Sequence, residues 1–225
     1  MIPWELLDCA QVPGSGEELR LYKRGGEFSI RVDGRELMNS RAHGSEDALA
    51  ELACARIADR PYPRVLIGGL GMGYTTAAAL RRLGAEGQVV VAELAPAVVA
   101  WNRGALADAA GRPLQDARVT VCEVDVAYIL QAEQRAYDAI VLDVDNGPAG
   151  LTRKGNDCLY ARAGLAAAYA ALRPAGVLAV WSASPDRAFA TRLCRVGFEV
   201  NEVRVRARGL GGGGRHIIWL AVRSS

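Results

Sequence analysis

The sequence predicts an α/β fold: a mostly parallel seven-stranded sheet with a small β appendage on its N-terminal side. Three observations lead there. From Arg64 onward, short apolar strand-like runs alternate with helical segments. Glycines cluster where the first of those strands gives way to a helix. The last two strand-like runs have no helix between them. Apolar strands alternating with helices imply a parallel sheet covered on both faces and joined by right-handed crossovers. The final pair closes the sheet as an antiparallel hairpin.

Each element has its own reason. Residues 19–32 alternate apolar and polar positions on either side of Gly25-Gly26, which reads as a β-hairpin, and Asp33-Gly34 is a second turn signal. Ser45 is placed to cap a helix over 46–57, which Pro61 and Pro63 close off. Strands follow at 65–67, 88–93, 119–121, 137–143 and 177–181. Helices are expected at 75–83, 95–109, 128–134, 160–172 and 186–195, the fourth stopped by Pro174 and Gly176. Strands at 198–206 and 216–222, linked by the glycine-rich stretch 209–214, end the chain. The division expected is an appendage over 1–44 and a main domain over 45–225. A terminal antiparallel hairpin on such a sheet is the layout of the class I, Rossmann-like methyltransferase fold.

Composition narrows the function classes. The 225 residues are 51% hydrophobic and 23% charged, a globular composition with enough chain for a sizeable core. Lys+Arg is 27 against 25 for Asp+Glu, and only Lys23 and Lys154 are lysines. A net charge of +2 is too small for a nucleic-acid-binding face, so the arginines read as surface. No run reaches the ~18 apolar residues of a membrane span, and MIPWELLDCA lacks the pattern of a secretory leader. Five scattered cysteines and two histidines form neither a disulfide framework nor a metal-ligand spacing, so a reducing cytoplasm is the expected compartment.

The central motif is Val65-Leu66-Ile67-Gly68-Gly69-Leu70-Gly71-Met72-Gly73, followed by Tyr74 and a helix. Glycines at a strand-to-helix turn let the backbone approach a ligand closely. The spacing of Gly69, Gly71 and Gly73 is G-x-G-x-G, not the G-x-G-x-x-G of dinucleotide binders, which disfavours a nicotinamide enzyme. Glu93 ends the next strand, where an acid can accept from ribose hydroxyls; the alternative is a solvated strand-end carboxylate. Asp125, with Val126 beside it, follows the third strand, where an acid can accept from an adenine amino group; the alternative is a helix N-cap. Asp143 and Asp145 end the fourth strand two residues apart and read as a catalytic pair, because neighbouring carboxylates push their pKa values apart and leave one suited to act as a base. Asn146 continues that stretch, which also reads as a plain turn through Gly147-Pro148. Tyr160 and Trp181 are candidates for the acceptor pocket, with core packing as the alternative for each. Class I methyltransferases place the amino-acid tail of their ligand against this loop, and the likeness to that layout implies that Met72 and Tyr74 can touch it.

Taken in order, VLIGGLGMGYTTAAAL, VVVAELAPAVVAWNR, VTVCEVDVAYIL and YDAIVLDVDNGP resemble successive motifs of the spermidine synthase-like family. The resemblance implies S-adenosyl-L-methionine (AdoMet) or its decarboxylated form as cofactor, a small-molecule acceptor and a homodimer. It also implies Glu93 on the ribose, Asp125 on the adenine and Asp143 as the base that deprotonates an attacking amine. Three departures stand against polyamine synthesis. Met72 replaces the loop aspartate that holds the aminopropyl amine. Leu49-Ala50-Glu51 replaces the Tyr-His/Gln-Glu motif. Asp143-Val144-Asp145-Asn146-Gly147-Pro148 replaces the Asp-Ser-Ser-Asp-Pro stretch. The expectation is therefore an AdoMet-dependent methyltransferase acting on a small amine or similar nucleophile. The alternatives are an aminopropyltransferase and a nucleoside-binding protein without catalysis.

Overall fold

The computed structural model describes residues 2–14, 16–144, 157–207 and 213–224. The N-terminal part is a four-stranded antiparallel sheet: β1 (Glu5–Gln11), β2 (Glu18–Arg24), β3 (Glu27–Val32) and β4 (Arg35–Asn39), in that spatial order. The hairpin expected at residues 19–32 is its centre, and β1 and β4 extend it on either side. Asp33 and Gly34 both have positive φ, at 47° and 80°. That is the two-residue geometry a tight hairpin between β3 and β4 needs.

Helix α1 (Gly44–Ala55) then leads into β5 (Arg64–Gly68), α2 (Tyr74–Arg82), β6 (Gln88–Ala92), α3 (Pro96–Arg103) and a short 3-10 turn (Pro113–Gln115). There follow β7 (Val119–Cys122), α4 (Val126–Ala132), β8 (Tyr137–Leu142), α5 (Asp157–Tyr160) and α6 (Arg162–Ala171). The chain ends with β9 (Leu172–Ser182), α7 (Arg187–Val196), β10 (Phe198–Arg206) and β11 (Arg215–Arg223). The large sheet has the order β10-β11-β9-β8-β5-β6-β7. Strands β7, β6, β5, β8 and β9 are parallel, and β11 runs antiparallel between β9 and β10.

Alternation along each strand fills two cores. Val65, Ile67, Val89, Val91, Ala139 and Val141 face α1, α2, α3 and the N-terminal sheet. Leu66, Val90, Ile140, Leu142, Leu178 and Val180 face α4, α6 and α7. Both faces are covered, which is why these strands read as continuous apolar runs. No motif in the sequence marks Asp138. It lies at the lower end of β8, 1% exposed, and accepts from the Arg64 amide (2.9 Å) and Arg173 Nη1 (2.8 Å). It thereby ties β5, β8 and β9 together.

Two expectations are corrected. Ser45 is not the cap of α1: the helix begins at Gly44 with His43 in the cap position, and Ser45 Oγ donates to Glu46 Oε2 at 2.6 Å. The single helix expected over 160–172 is two, α5 and α6, and β9 starts directly at Leu172. Pro174 and Gly176 lie inside β9, beside an irregularity in its pairing with β8. Ala175 there takes the left-handed conformation, with φ 57°. The expected link at 209–214 falls mostly outside the described residues. All five cysteines are free. Among the described residues no helix is long and apolar enough to cross a membrane.

Candidate functional site

In the large sheet the chain runs outward from β5 to β6 and β7, then returns to β8 on the other side of β5. Strand order reverses between β5 and β8, and open α/β sheets bind ligands above such a point, at the carboxyl ends of the strands. The loop after β5 and the segment after β8 meet there. The Asp143 amide donates to the Gly68 carbonyl at 2.9 Å. Gly69 has φ +90°, and a Cβ on it would overlap the Asp143 carbonyl oxygen. Only glycine allows the two segments to close together.

Above this junction lies a cavity of about 190 Å³. Its floor includes Gly69, Gly71, Glu93, Asp125, Val126, Asp143 and Trp181. Val12, Leu19, Ile30, Val32, Leu37 and Met38 of the N-terminal sheet close it with an apolar roof. Sequence reading gave the floor but not this roof.

Glu93 follows β6. Its Oε2 accepts from the Leu70 amide (2.9 Å) and its Oε1 from the Ala95 amide (2.8 Å). Burial raises its pKa, and the backbone donors of Ala95, Leu70, Leu94 and Gly71 offset part of that rise. The carboxylate thus holds the glycine loop in shape, and Glu93 lines the cavity. Asp125 is the N-cap of α4, its Oδ1 accepting from the Ala127 amide at 2.9 Å. It lines the cavity as well, so the cap and a ligand contact are compatible.

Asp143 accepts at Oδ2 from Thr75 Oγ1, 2.6 Å away. Thr75 is 2% exposed at the start of α2, so the hydroxyl has been placed in the interior for this contact. Burial pushes the Asp143 pKa up, and the Thr75 hydrogen bond partly counters it. Glu46, from the first turn of α1, lines the same cavity. Its pKa is pushed up to about 7, first by burial and then by the Asp143 charge. Glu51, the acid in the stretch that replaces the Tyr-His/Gln-Glu motif, pairs with Arg82 at 3.1 Å and does not line the cavity. Glu17 and Glu46 are the carboxyl groups before the glycine loop that do reach it, Glu46 from the first turn of α1. A helix's first turn is a common place for acids, and no sequence pattern set this one apart.

The other candidates are placed as follows. Met72 is fully buried in the core and Gly73 caps α2 with φ +85°; neither lines the cavity. Tyr74 stacks on His43 with ring centroids 4.0 Å apart, and its hydroxyl donates to the Ser40 carbonyl at 3.3 Å. It fastens the segment after β4 to α2. Tyr160 is 4% exposed, and its hydroxyl donates to the Val144 carbonyl at 3.2 Å. It supports the segment that follows β8 and does not line the cavity. Trp181 does line it, packed edge-on against His216 at 4.6 Å. Asp145 and Asn146 lie outside the described residues. Asn102, not foreseen, is 3% exposed and donates from Nδ2 to the Gly71 carbonyl at 2.8 Å, so α3 also braces the glycine loop.

The site's charge is one-sided. Among the described residues, Glu17, Glu46, Glu93, Asp125 and Asp143 line the cavity, and no Lys, Arg or His does. No three of the described His, Cys, Asp or Glu side chains are grouped to hold a metal ion.

Solved structures with this architecture are numerous. The spermidine synthase from Thermotoga maritima superposes with a TM-score of 0.77 at 16% identity, covering 97% of this chain and 73% of that one. The fold is spermidine synthase-like. A spermidine synthase in complex with the transition-state analogue AdoDATO gives a TM-score of 0.75 at 16% identity over 97% of this chain and 72% of the other. The O-methyltransferase TomG from Streptomyces achromogenes, in complex with SAM, gives 0.57 at 18% identity over 80% of each chain. The fold is therefore shared by spermidine synthases and by an O-methyltransferase. No protein-family model matches the chain, and no curated protein matches its sequence.

Proposed function

We propose that this chain is a transferase that uses an adenosyl sulfonium donor to alkylate a small amine. The observation that carries the reading is one cavity at the strand-order reversal that gathers Gly69, Gly71, Glu93, Asp125 and Asp143. The residues fit the donor: a glycine cradle that a Cβ would fill, an acid for the ribose and an acid for the adenine. Glu93 would hold the ribose hydroxyls, Asp125 the adenine amino group, and the loop from Gly69 to Gly71 the donor's tail. When bound, the donor supplies an electrophilic carbon on a positively charged sulfur. The protein's task is then placement and proton removal. Asp143, fixed by Thr75, stands at the carboxyl end of β8 to orient the amine and accept its proton. The roof excludes water.

Methyl is the group favoured first, with ordinary AdoMet as donor. The glycine loop presents no carboxylate to seek an aminopropyl amine: Gly69 and Gly71 line the cavity, and the Met72 side chain is buried away from it. The one-sided acidity favours a second reading. A donor carboxylate meets no cationic side chain among the described lining residues, whereas the decarboxylated donor would meet only favourable charge.

A thermal-shift series with AdoMet, decarboxylated AdoMet, methylthioadenosine and NAD tests the proposal. A ligand at 100 times its dissociation constant adds about 2.7 kcal/mol of stability. AdoMet and methylthioadenosine are expected to raise Tm and NAD to leave it unchanged. A response to decarboxylated AdoMet alone overturns the methyl reading; no response to any adenosyl sulfur compound overturns both.

A further inference from the structure

The glycine loop is fixed from beneath and covered from above. Beneath, the Gly69 amide donates to the Ala92 carbonyl at 2.9 Å, the Leu70 amide to Glu93 Oε2 at 2.9 Å, and Asn102 Nδ2 to the Gly71 carbonyl at 2.8 Å. Above, a Cβ on Gly71 would stand 2.9 Å from Met38 Sδ and 3.0 Å from Met38 Cε, so no methyl group fits between the thioether and the loop. Chain neighbours apart, no other described residue comes within 4 Å of that point. Strand β4 is shaped to put Met38 there. Its pairing with β3 passes from Ile30 opposite Met38 to Arg31 opposite Glu36, which leaves Leu37 as a bulge. Strand residues ordinarily alternate between faces, yet Leu37 and Met38 both line the cavity. A bulge re-aims side chains in this way, and bulges gather beside active sites.

We infer that Met38 discriminates between adenosyl ligands by their tails. Its thioether stays over the loop when the ligand's sulfur carries only a methyl group. It swings aside when a full amino-acid or aminopropyl tail has to lie on Gly69 to Gly71. One side must give when such a tail enters, and the three hydrogen bonds make the loop the stiffer side. Met38 is half-buried and unbranched, with three rotatable bonds, so the side chain is what moves. Position 38 also meets the tail's charge. No Lys, Arg or His among the described residues lines the cavity, so a cation introduced at 38 would be the partner that a donor carboxylate otherwise lacks. Met38 takes no part in the chemistry; it sets specificity. The inference rests on the transferase reading, which gives the loop to the donor's tail.

The test uses full-length protein labelled at the methionine methyl carbons. There are three methionines, Met1, Met38 and Met72. The Met38 NMR signal is assigned by its loss in Met38→Leu, a volume-conserving change that the fold tolerates. AdoMet and decarboxylated AdoMet are each expected to move that signal. Methylthioadenosine is expected to bind and leave it near its free position. Calorimetry supplies the second readout. Met38→Ala should bind AdoMet about fivefold more tightly and methylthioadenosine with an affinity changed by no more than about twofold. Met38→Lys should raise the affinity for AdoMet relative to decarboxylated AdoMet about tenfold. A Met38 signal that answers methylthioadenosine as strongly as AdoMet overturns the inference. So does a Met38→Ala protein in which both affinities change alike, or an unchanged donor ratio in Met38→Lys. If these variants do not fold, the signal in the unaltered protein decides alone. Methylthioadenosine binding with no Met38 response to either tailed ligand removes this inference and leaves the transferase reading. No binding of any adenosyl sulfur compound removes both.

Discussion

Glu46 and Asp143 also set how stability depends on pH. Both carboxyl groups have folded-state pKa values above their ordinary ones, Glu46 at about 7. A group raised in this way gives stability that is complete below its unfolded pKa and is lost as pH rises through its folded pKa. Between pH 4.5 and 7, Glu46 therefore withdraws about 2 kcal/mol from the folded state, after allowance for its partial exposure. Urea unfolding at pH 5 and pH 8 should show the unaltered protein less stable at pH 8. Glu46→Gln should remove most of that difference. A Glu46→Gln protein with the same pH dependence would mean that the proton resides elsewhere. Neither carboxyl stood out equally in the sequence. Asp143 was legible because it ends a strand in a known order of motifs. Glu46 was not, because its role depends on where α1 is packed and not on any local pattern.

Helix α4 shows how one residue can serve an element and a site together. Asp125 caps it through the Ala127 amide and lines the cavity at the same time. Both readings of Asp125 were visible in the sequence, and geometry alone does not make them rivals. Asp125→Ser separates them. Serine caps helices about as well as aspartate, so unfolding free energy should change by no more than about 0.5 kcal/mol. The shorter side chain cannot reach an adenine amino group, so the Tm rise with methylthioadenosine should fall by half or more. An unchanged ligand response would make Asp125 a cap only. Elements with a buried face were legible in this way, since their apolar periodicity is their packing. Strand β1 was not. Residues 5–9 are exposed on both sides of an edge strand, and no alternation marks them. Helices α5 and α6 were merged because an alanine-rich run has no periodicity to reveal a break at Ala161.

At the scale of the whole molecule, the N-terminal sheet is a wall of the site and not only an appendage. The sequence yielded its central hairpin and the large sheet separately, but nothing local to either told how they meet. Three contacts now define the meeting. Trp101 Nε1 donates to Asp8 Oδ2 at 2.7 Å, the Tyr74 hydroxyl reaches the Ser40 carbonyl, and Met38 lies over Gly71. The last contact makes the roof testable. A Cβ on Gly71 would stand 2.9 Å from Met38 Sδ, closer than such atoms approach. Gly71 also has φ +52°, so alanine there carries a backbone cost of about 1 kcal/mol whatever the space above it. Gly71→Ala should therefore lose stability by that amount plus the cost of pushing the roof aside, and should weaken the thermal response to AdoMet. Met38→Ala clears the space without touching the loop. If the roof rests on the loop, the double variant should recover the steric part and leave only the backbone part. That predicts a coupling of about 1 kcal/mol in a double-mutant cycle. Because the Met38 thioether is flexible, the coupling should be modest. Strict additivity of the two changes would mean that the sheet does not close over the glycine loop in solution, and the cavity would then have to be drawn with its upper wall open.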